Sequence, residues 1–488
     1  MTGLSKSRIL AHRQCPKRLW LQINRPELQE DSEGAIARMN AGTHAGEVAR
    51  DLYPDGVLID AEPLSQALAD TQAVIAQGDQ PIFEATFHAN NVLVRVDLLL
   101  PDVNGYRLAE VKSSTSVKDY HLEDAAVQAW VCKSAGVEVT RTEIAHINNR
   151  FIYPGNGNYQ GLFTHEDISE LIAELEAEVP DWIAAAQDAL AGAEPPIEAG
   201  EQCDDPFPCP FWSYCCPEEP VEGGYPPEIL PRSKTLAAQL RAEGFDDLRQ
   251  VPEERLNPTQ QRIRRISINQ QAEVNPLAGE VLKDLPYPRY YLDFETITFV
   301  VPIWAGTRPY QQIPFQWSCH IESAEGAICH HEFLADGQGD PRRGFAESLI
   351  DILSDAGAIV VYNQAFEKSR LRELAADFPD LAPVIDAIIE RIFDLLPLAR
   401  EYYYHPDMSG SWSIKAVLPT IAPELAYDDL EVAHGMMAMD SFAEIMQPDT
   451  TDERREHLRV ELLKYCERDT WAMVRIAQFL QQGGKHAC

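Results

Sequence analysis

Residues 94–112 read V-R-V-D-L-L-L-P-D-V-N-G-Y-R-L-A-E-V-K. Val92 to Leu100 is β-branched and apolar, Pro101, Asp102, Asn104 and Gly105 are turn residues, and Tyr106 to Val111 is a second apolar run. The pattern predicts two strands joined by a tight turn. Side chains at i and i+2 share one face of a strand. Glu110 and Lys112 therefore point the same way, and Asp97 meets them across the ladder. Two carboxylates and an ammonium on one face suit phosphodiester hydrolysis. The carboxylates hold Mg²⁺ or Mn²⁺, which take oxygen ligands. The metal polarises the phosphate and activates a water, and the lysine steadies that water or the developing charge. The plain alternative is a surface hairpin with solvated charges.

At 488 residues the chain exceeds one ordinary domain, and two or three are expected. No apolar run reaches about 18 residues, so no transmembrane helix is expected. The start, M-T-G-L-S-K-S-R, has no apolar signal core. A cytoplasmic protein without a membrane partner is the expectation. Asp and Glu total 77 against 41 Lys and Arg, a net charge of −36. Such a surface repels nucleic acid at long range, so any binding must be local, in a basic or metal-lined cleft. A high-salt cytoplasm, where that repulsion is screened, is another source of such acidity. Ten cysteines without a secretory signal point to metal or cluster ligands rather than disulfides.

Working outward from the hairpin, Ser5 to Leu21 predicts an amphipathic helix interrupted near Cys15-Pro16. Residues 36–53 predict a helix carrying Glu47, and Leu64 to Gln77 another. Pro81 to Phe87 predicts a strand with Glu84 on it. After the hairpin, His121 to Ala135 predicts a helix carrying Gln128, with strands near 138–152 and a long acidic helix from Ile168 to Ala191. Then E-Q-C-D-D-P-F-P-C-P-F-W-S-Y-C-C-P places Cys203, Cys209 and Cys215 in C-x5-C-x5-C spacing, with Cys216 alongside. Three regularly spaced thiols need a fourth, and Cys15 is the candidate; Cys216 is the alternative to Cys215. A thiolate quartet holds Zn²⁺ or an iron–sulfur cluster. Zinc sites favour closer C-x2–4-C pairs, which favours a 4Fe–4S cluster here.

On these residues, positions 1–220 resemble the RecB-type PD-(D/E)XK nucleases with an iron–sulfur staple, among them the CRISPR-associated Cas-four-type exonucleases and the helicase-nuclease AddB. Those families carry one Cys before the nuclease core and three after it, and within the core an Asp, then E-x-K, then a helix with Q-x-x-x-Y. The resemblance implies catalytic roles for Asp97, Glu110, Lys112 and Gln128, with Glu84 as a further metal ligand. Two departures stand out. The Tyr position is Cys132, and the family His, counted from Gly42, falls on Gly46, leaving Glu47 as a substitute ligand beside His44.

Pro217 to Pro227 predicts a linker, and residues 221–285 a linker with a small helical module. Gln260 to Arg265 is the most basic patch, fit for a phosphate backbone or for a solvated helix face. A second set of motifs follows from Pro286. Y-P-R-Y-Y-L-D-F-E-T puts Asp293 and Glu295 two apart on a strand. Further strands are expected at Phe315 to Ile321, His330 to Leu334 and Ala358 to Tyr362, the last followed by N-Q-A-F-E-K. A helix is expected at Phe345 to Leu353. A terminal helix from Val460 to Leu480 carries Tyr465 and Asp469 at i and i+4. This order resembles the DEDD exonucleases of the RNase H-like fold, in which four carboxylates bind two metals and a Tyr orients the attacking water. The resemblance implies Asp293, Glu295, Glu367 and Asp469 as ligands and Tyr465 as the water-positioner. Glu367 stands where that family usually has Asp, and Asp394 is the reserve. The stretch around Lys415 is expected to be a loop near the same cleft.

Over nearly its whole length the chain thus resembles an uncharacterised bacterial family, that of the domain of unknown function 2779. The implied fold class is α/β: a restriction-endonuclease-like PD-(D/E)XK domain, residues 1–220, and an RNase H-like DEDD domain implied to trim 3′ ends as a 3′–5′ exonuclease, residues 286–488, joined by the helical module. The implied activity is metal-dependent hydrolysis of DNA at ends or single strands, in repair or in defence against foreign DNA. RNA as substrate, and a nucleic-acid-binding protein with inactive sites, are the alternatives.

Overall fold

The computed structural model describes residues 3–216, 224–231, 233–427 and 430–484. Most of the expected linker, residues 217–223, lies outside them. The chain divides into two compact α/β units. The first holds Met1–Pro220 together with Phe299–Gln311, and the second holds Val221–Thr298 and Gln312–Cys488.

The first unit is built on a mixed sheet. Its strands are β1 (Leu4–Ser5), β2 (Val57–Leu58), β3 (Ile82–Ala89), β4 (Val92–Asp102), β5 (Gly105–Lys112), β6 (Val139–Ile147) and β7 (Phe163–Asp167). They are ordered β2-β3-β4-β5-β6-β7, with β1 paired in parallel to the start of β4. The hairpin read from the sequence is β4 and β5, antiparallel, with Leu98 opposite Ala109. Its helices are α1 (Lys6–Gln14), α2 (Pro16–Asn24), α3 (Glu33–Asp51), α4 (Leu64–Gln77), α5 (Asp119–Ser134), α6 (Ala173–Ala191) and the single turn α7 (Trp212–Cys215). Helix α5 is the crossover that makes β6 parallel to β5. Its Ala125, Ala126 and Ala129 are fully buried. Small side chains let the helix lie close to the strands, which carries its polar residues to the hairpin.

Two expectations shift here. Only Val139–Ile147 of the stretch near 138–152 is strand, and Phe163–Asp167 adds a polar edge strand with no apolar alternation to announce it. The long helix starts at Ala173, not Ile168.

In the second unit, α8 (Lys234–Ala242), α9 (Pro258–Asn269), β8 (Glu273–Val274) and α10 (Leu277–Lys283) precede a five-stranded sheet. Its strands are β9 (Arg289–Ile297), β10 (Ile313–Glu322), β11 (Ile328–Leu334), β12 (Ala358–Val361) and β13 (Ile392–Asp394), in the order β11-β10-β9-β12-β13. Strands β10 and β11 are antiparallel to their neighbours, and β12 and β13 run parallel to β9. Helices α11 (Arg342–Ile352), α12 (Ala365–Asp377), α13 (Ala382–Glu390) and α14 (Leu395–Tyr402) connect or follow the strands. The chain continues with β14 (Tyr403–Tyr404), paired to β8, then α15 (Ile414–Ile421), α16 (Gly435–Met446) and the long α17 (Asp452–Gln481).

Strand β9 has two faces because its residues alternate. Tyr290, Leu292 and Phe294 join a core with Trp317, Phe345 and Leu371. Burying each such side chain contributes roughly 1.5–3 kcal/mol. Tyr291, Asp293 and Glu295 face the other way, where α17 lies: Gln316 of β10, opposite Glu295, donates to the Leu462 carbonyl at 2.8 Å.

A tight joint fixes β12 beside β9. Gly357 has φ of +94°, and a Cβ there would sit 2.1 Å from the Pro288 carbonyl oxygen. Gly357→Ala is expected to destabilise the second unit by about 3 kcal/mol or more, since both strain and a backbone clash arise. Urea denaturation followed by tryptophan fluorescence checks this; an unchanged midpoint would refute it.

Candidate functional site

The first cluster of acids forms on β3, β4 and β5. Glu84 falls between the pairs Phe83–Leu98 and Ala85–Val96, hence opposite Asp97. Asp97 lies one step beyond Leu98–Ala109, hence opposite Glu110. Three carboxylates thus run side by side across three strands. Glu84 adopts a left-handed backbone, φ 54°, a strained state for a non-glycine residue and one that concentrates at functional sites. Asp97 Oδ2 accepts from the Val111 N–H at 2.8 Å. Glu110 Oε1 accepts from Lys112 Nζ at 2.8 Å and Lys6 Nζ at 2.7 Å, and Oε2 from Gln128 Nε2 at 2.5 Å.

Two members of this cluster escaped the sequence reading. Asp124 precedes Gln128 by one turn of α5 and takes Lys112 Nζ at 2.5 Å and Lys6 Nζ at 3.0 Å. Its i, i+4 spacing to Gln128 was the available signal. Lys6 comes from the first turn of α1 and carried no local signal at all.

Charge is unevenly shared. Burial and the Glu110 charge push Asp97 up to about 8. Burial alone would raise Glu110 as well, but the Lys112 and Lys6 ammoniums overcome it and hold that carboxyl well below its usual range. Burial raises Glu84. Burial opposes the charge on Lys112, yet Asp124, Glu110 and Asp97 raise it, so the ammonium stays protonated. A cleft of about 380 Å³ opens over Glu84, Asp97, Glu110 and Lys112, with Gly42 and Gly46 of α3 on its other wall. Glu47 is not among the residues lining it; its side chain is half exposed and faces His44 at 3.5 Å. Cys132 is buried within α5, four residues past Gln128.

The second cluster forms where α17 crosses β9. Asp293, Glu295, Glu367 and Asp469 are drawn together, all largely buried. Burial, then the Asp469 charge, pushes Asp293 well above the carboxylate range; burial, then Asp293 and Asp469, does the same to Glu295. Burial and Asp293 push Glu367 up to about 9. Asp469 rises only to about 6, because burial is offset by the Tyr427 phenol and by Lys415. Tyr427 O–H donates to Asp469 Oδ1, and Lys415 Nζ donates to Tyr465 Oη at 3.2 Å and to the Ala433 carbonyl at 2.5 Å. Burial and Asp469 keep both phenols protonated. Cys466, beside Tyr465, places its thiol within 4.8 Å of the Asp293 and Glu295 carboxylates, and burial keeps it protonated.

Lys415 lies in the first turn of α15, capped by Ser413, rather than in the expected loop. Its expected nearness to the cleft does hold. Tyr427 was missed, since nothing local connects it to Asp469. Asp394 is engaged elsewhere: it caps α14 and accepts from the N–H groups of Asn363, Gln364 and Leu396 at 2.9, 3.1 and 3.0 Å. Glu367 instead has a buried Oε2 with no hydrogen-bond partner among the described residues.

Both clusters suit a hard divalent ion. Their donors are oxygens, their carboxylates crowd and repel one another, and one buried acceptor is orphaned. A bound cation would supply what the described side chains of the second cluster lack.

The cysteine set also converges. Cys15 joins α1 to α2, Cys203 ends a turn at Glu201–Cys203, and Cys215 ends α7. Gln14 Nε2 donates to the carbonyls of Gln202 and Phe207, both at 2.8 Å, which ties the two chain segments together. Burial raises the Cys209 and Cys215 thiols; Cys203 and Cys15 lie near enough to add to both. Cys216 caps α7 through its backbone N–H. The nine described cysteines are free thiols.

The basic patch is internally engaged. Arg262 and Arg265 both pair with Glu273, and Arg264 donates to the Arg249 carbonyl at 3.1 Å. These contacts hold α9 against its own unit rather than present a free face for phosphate. No helix among the described residues is long and apolar enough to cross a membrane.

The model of a domain of unknown function, DUF2779, matches residues 290–413, a span that includes Asp293, Glu295 and Glu367. The "Uncharacterized protein MG366 homolog" of Mycoplasma pneumoniae is 30% identical over 222 residues, 41% of this chain and 33% of its own length. "Uncharacterized protein UU173" of Ureaplasma parvum is 25% identical over 240 residues, 44% of this chain and 34% of its own. The chain spans about a third of the length of the curated relatives it matches.

Proposed function

We propose that the protein is a divalent-metal-dependent nuclease with two hydrolytic centres, one in a PD-(D/E)XK-like unit and one in an RNase H-like unit. The observation that carries the reading is the second cluster: four largely buried carboxylates linked through Asp293, whose charge acts on Glu295 and Glu367 and which Asp469 acts on in turn, with two protonated phenols and a lysine beside them. Asp293, Glu295, Glu367 and Asp469 would hold Mg²⁺ or Mn²⁺ there, and Glu84, Asp97 and Glu110 at the first centre. The metal supplies charge stabilisation and an acidified water at each.

The remaining chemistry belongs to the side chains. Lys112 is held protonated, so it cannot take a proton from the attacking water; it stabilises negative charge developing on the phosphate. Tyr465, a hydrogen-bond donor throughout the working pH range, orients the water, and Lys415 fixes its hydroxyl. Tyr427 positions Asp469. Lys6 positions Glu110 and Asp124 behind the first centre. DNA is the favoured substrate, acting locally at the clefts against the chain's net charge of −36.

The test incubates end-labelled single- and double-stranded DNA, and RNA of the same sequence, with the full chain in Mg²⁺ or Mn²⁺. Hydrolysis of DNA supports the reading, hydrolysis of RNA alone changes the substrate, and no hydrolysis with either ion refutes an enzyme.

The four-thiol set Cys15, Cys203, Cys209 and Cys215 is proposed to hold a 4Fe–4S cluster that staples the ends of the first unit. Anaerobically purified protein is expected to be brown and to contain iron. Cys209→Ser is expected to lose the colour and to lower the melting temperature of the first unit, because ligation free energy is also folding free energy. A colourless protein with one bound zinc would replace the cluster by Zn²⁺.

A further inference from the structure

We infer that the second unit carries a transition-metal site of the Zn²⁺ class, separate from the carboxylate centre, made by His320, His330 and Glu467. These come from β10, β11 and α17, and one donor atom from each lies within 4.8 Å of the other two. His320 and His330 are directly opposed in the β10–β11 ladder, with ring centroids 4.5 Å apart. His330 Nδ1 lies 3.8 Å from Glu467 Oε1.

The hydrogen-bond chain behind the two rings decides their tautomers. Thr470 sits within α17, and its hydroxyl donates to the Glu467 carbonyl at 3.1 Å, the usual direction for a threonine inside a helix. With that proton committed, Thr470 Oγ1 accepts from His320 Nδ1 and from Ser318 Oγ, each at 2.8 Å. The Ser318 proton is then used, so Ser318 Oγ accepts from His330 Nε2, also at 2.8 Å. Each imidazole therefore carries its proton on the nitrogen turned to a hydroxyl. His320 Nε2 and His330 Nδ1 are left as bare lone pairs, the second of them facing Glu467.

This is the arrangement a metal site needs. The outer nitrogen of each ligand histidine is fixed by a hydrogen bond, which sets ring orientation and tautomer. Two imidazoles and one carboxylate suit Zn²⁺ over Mg²⁺. Bonds of about 2.0–2.2 Å place tetrahedral ligand atoms about 3.4 Å apart. The 3.8 Å between His330 Nδ1 and Glu467 Oε1 is already close to that. The Glu467 side chain is half exposed and free to close the rest. A cavity of about 380 Å³ lies against Glu467 and Trp471, so the carboxylate is reached from solvent. The neighbouring Lys464 is turned to Glu461 at 2.6 Å, away from the ion. The bound ion would tie the edge strand β11 to α17, the helix that bears Tyr465 and Asp469.

The inference does not depend on nuclease activity, and neither does its test. Full-length protein is stripped with a chelator, loaded with Zn²⁺ and dialysed against excess Mg²⁺, which competes for oxygen sites and not for imidazoles. Zinc per chain is then measured for the wild type, His330→Gln and Glu467→Gln. Both variant positions are partly exposed, so the folds should survive, and a melting curve without metal checks this. The wild type is expected to keep one Zn²⁺ per chain more than either variant, and Zn²⁺ is expected to raise its melting temperature by more than it raises theirs. Equal zinc content in all three proteins, or equal stabilisation by Zn²⁺, would overturn the site.

Discussion

Asp293→Asn is expected to abolish trimming of 3′ ends, by about 10³-fold or more, while cutting by the Asp97 centre persists. Asp293 stands at the middle of the second cluster: its charge acts on Glu295, Glu367 and Tyr465. Removing it takes away a ligand and the focus of the charge. The same substitution should stabilise the metal-free protein, which separates a lost ligand from a lost fold. The sign follows from the carboxyls. Glu367 is raised to about 9 and Asp469 to about 6, both above their unfolded values near 4. The native state therefore binds more protons than the unfolded chain between about pH 4 and 9, so metal-free stability falls as pH rises through that window. At pH 8 Asp293→Asn relieves part of the repulsion and should raise the melting temperature by about 2–8 °C, at roughly 2–4 °C per kcal/mol. Mn²⁺ should stabilise the wild type more as pH rises, since it displaces protons from these groups. Unchanged 3′ trimming in the variant would make this unit a scaffold. Lost trimming with a lowered metal-free melting temperature would mean that the fold, not the ligand, had failed.

Lys112→Met, in an Asp293→Asn background that silences the second centre, is expected to cut the remaining hydrolysis by about 10²–10⁴-fold. The methionine keeps the stem and deletes the ammonium that bridges Glu110 and Asp124 at 2.8 and 2.5 Å. Lys6 still contacts both carboxylates, at 2.7 and 3.0 Å, so the cluster is not left wholly unpaired. The loss of stability should fall below the roughly 3–5 kcal/mol expected when a buried charge loses its only partner. Mn²⁺ binding, followed by calorimetry, should survive because Lys is no ligand. Activity should not return at high pH, because the lysine acts as a fixed charge and not as a base. An undiminished rate with the second centre silenced would remove Lys112 from the chemistry. Rescue of the variant by raising the pH would assign the lysine a proton-transfer role.

The sequence by itself determined the parts of each centre that lie on one element. The i, i+2 spacing of Glu110 and Lys112, and of Asp293 and Glu295, places each pair on one strand face. The i, i+4 spacing of Tyr465 and Asp469 places them on one helix face. Turn residues at Pro101 to Gly105 set the hairpin register and so the meeting of Asp97 with Glu110. These are local consequences of two backbone periods. Only the tertiary structure decided which side chains arrive from elsewhere. Lys6 reaches Glu110 across 104 residues of chain and Tyr427 reaches Asp469 across 42. Neither lies in any periodic pattern with its partner. The choice between Glu367 and Asp394 was likewise tertiary: both follow apolar strands, but backbone N–H groups claim the Asp394 carboxylate as a helix cap and leave Glu367 turned into the cluster. The arginines of α9 looked free because the sequence does not show that Glu273 folds back onto them. Periodicity fixes the direction of a side chain, whereas packing of distant elements fixes what it meets, and both centres depend on the second as much as the first.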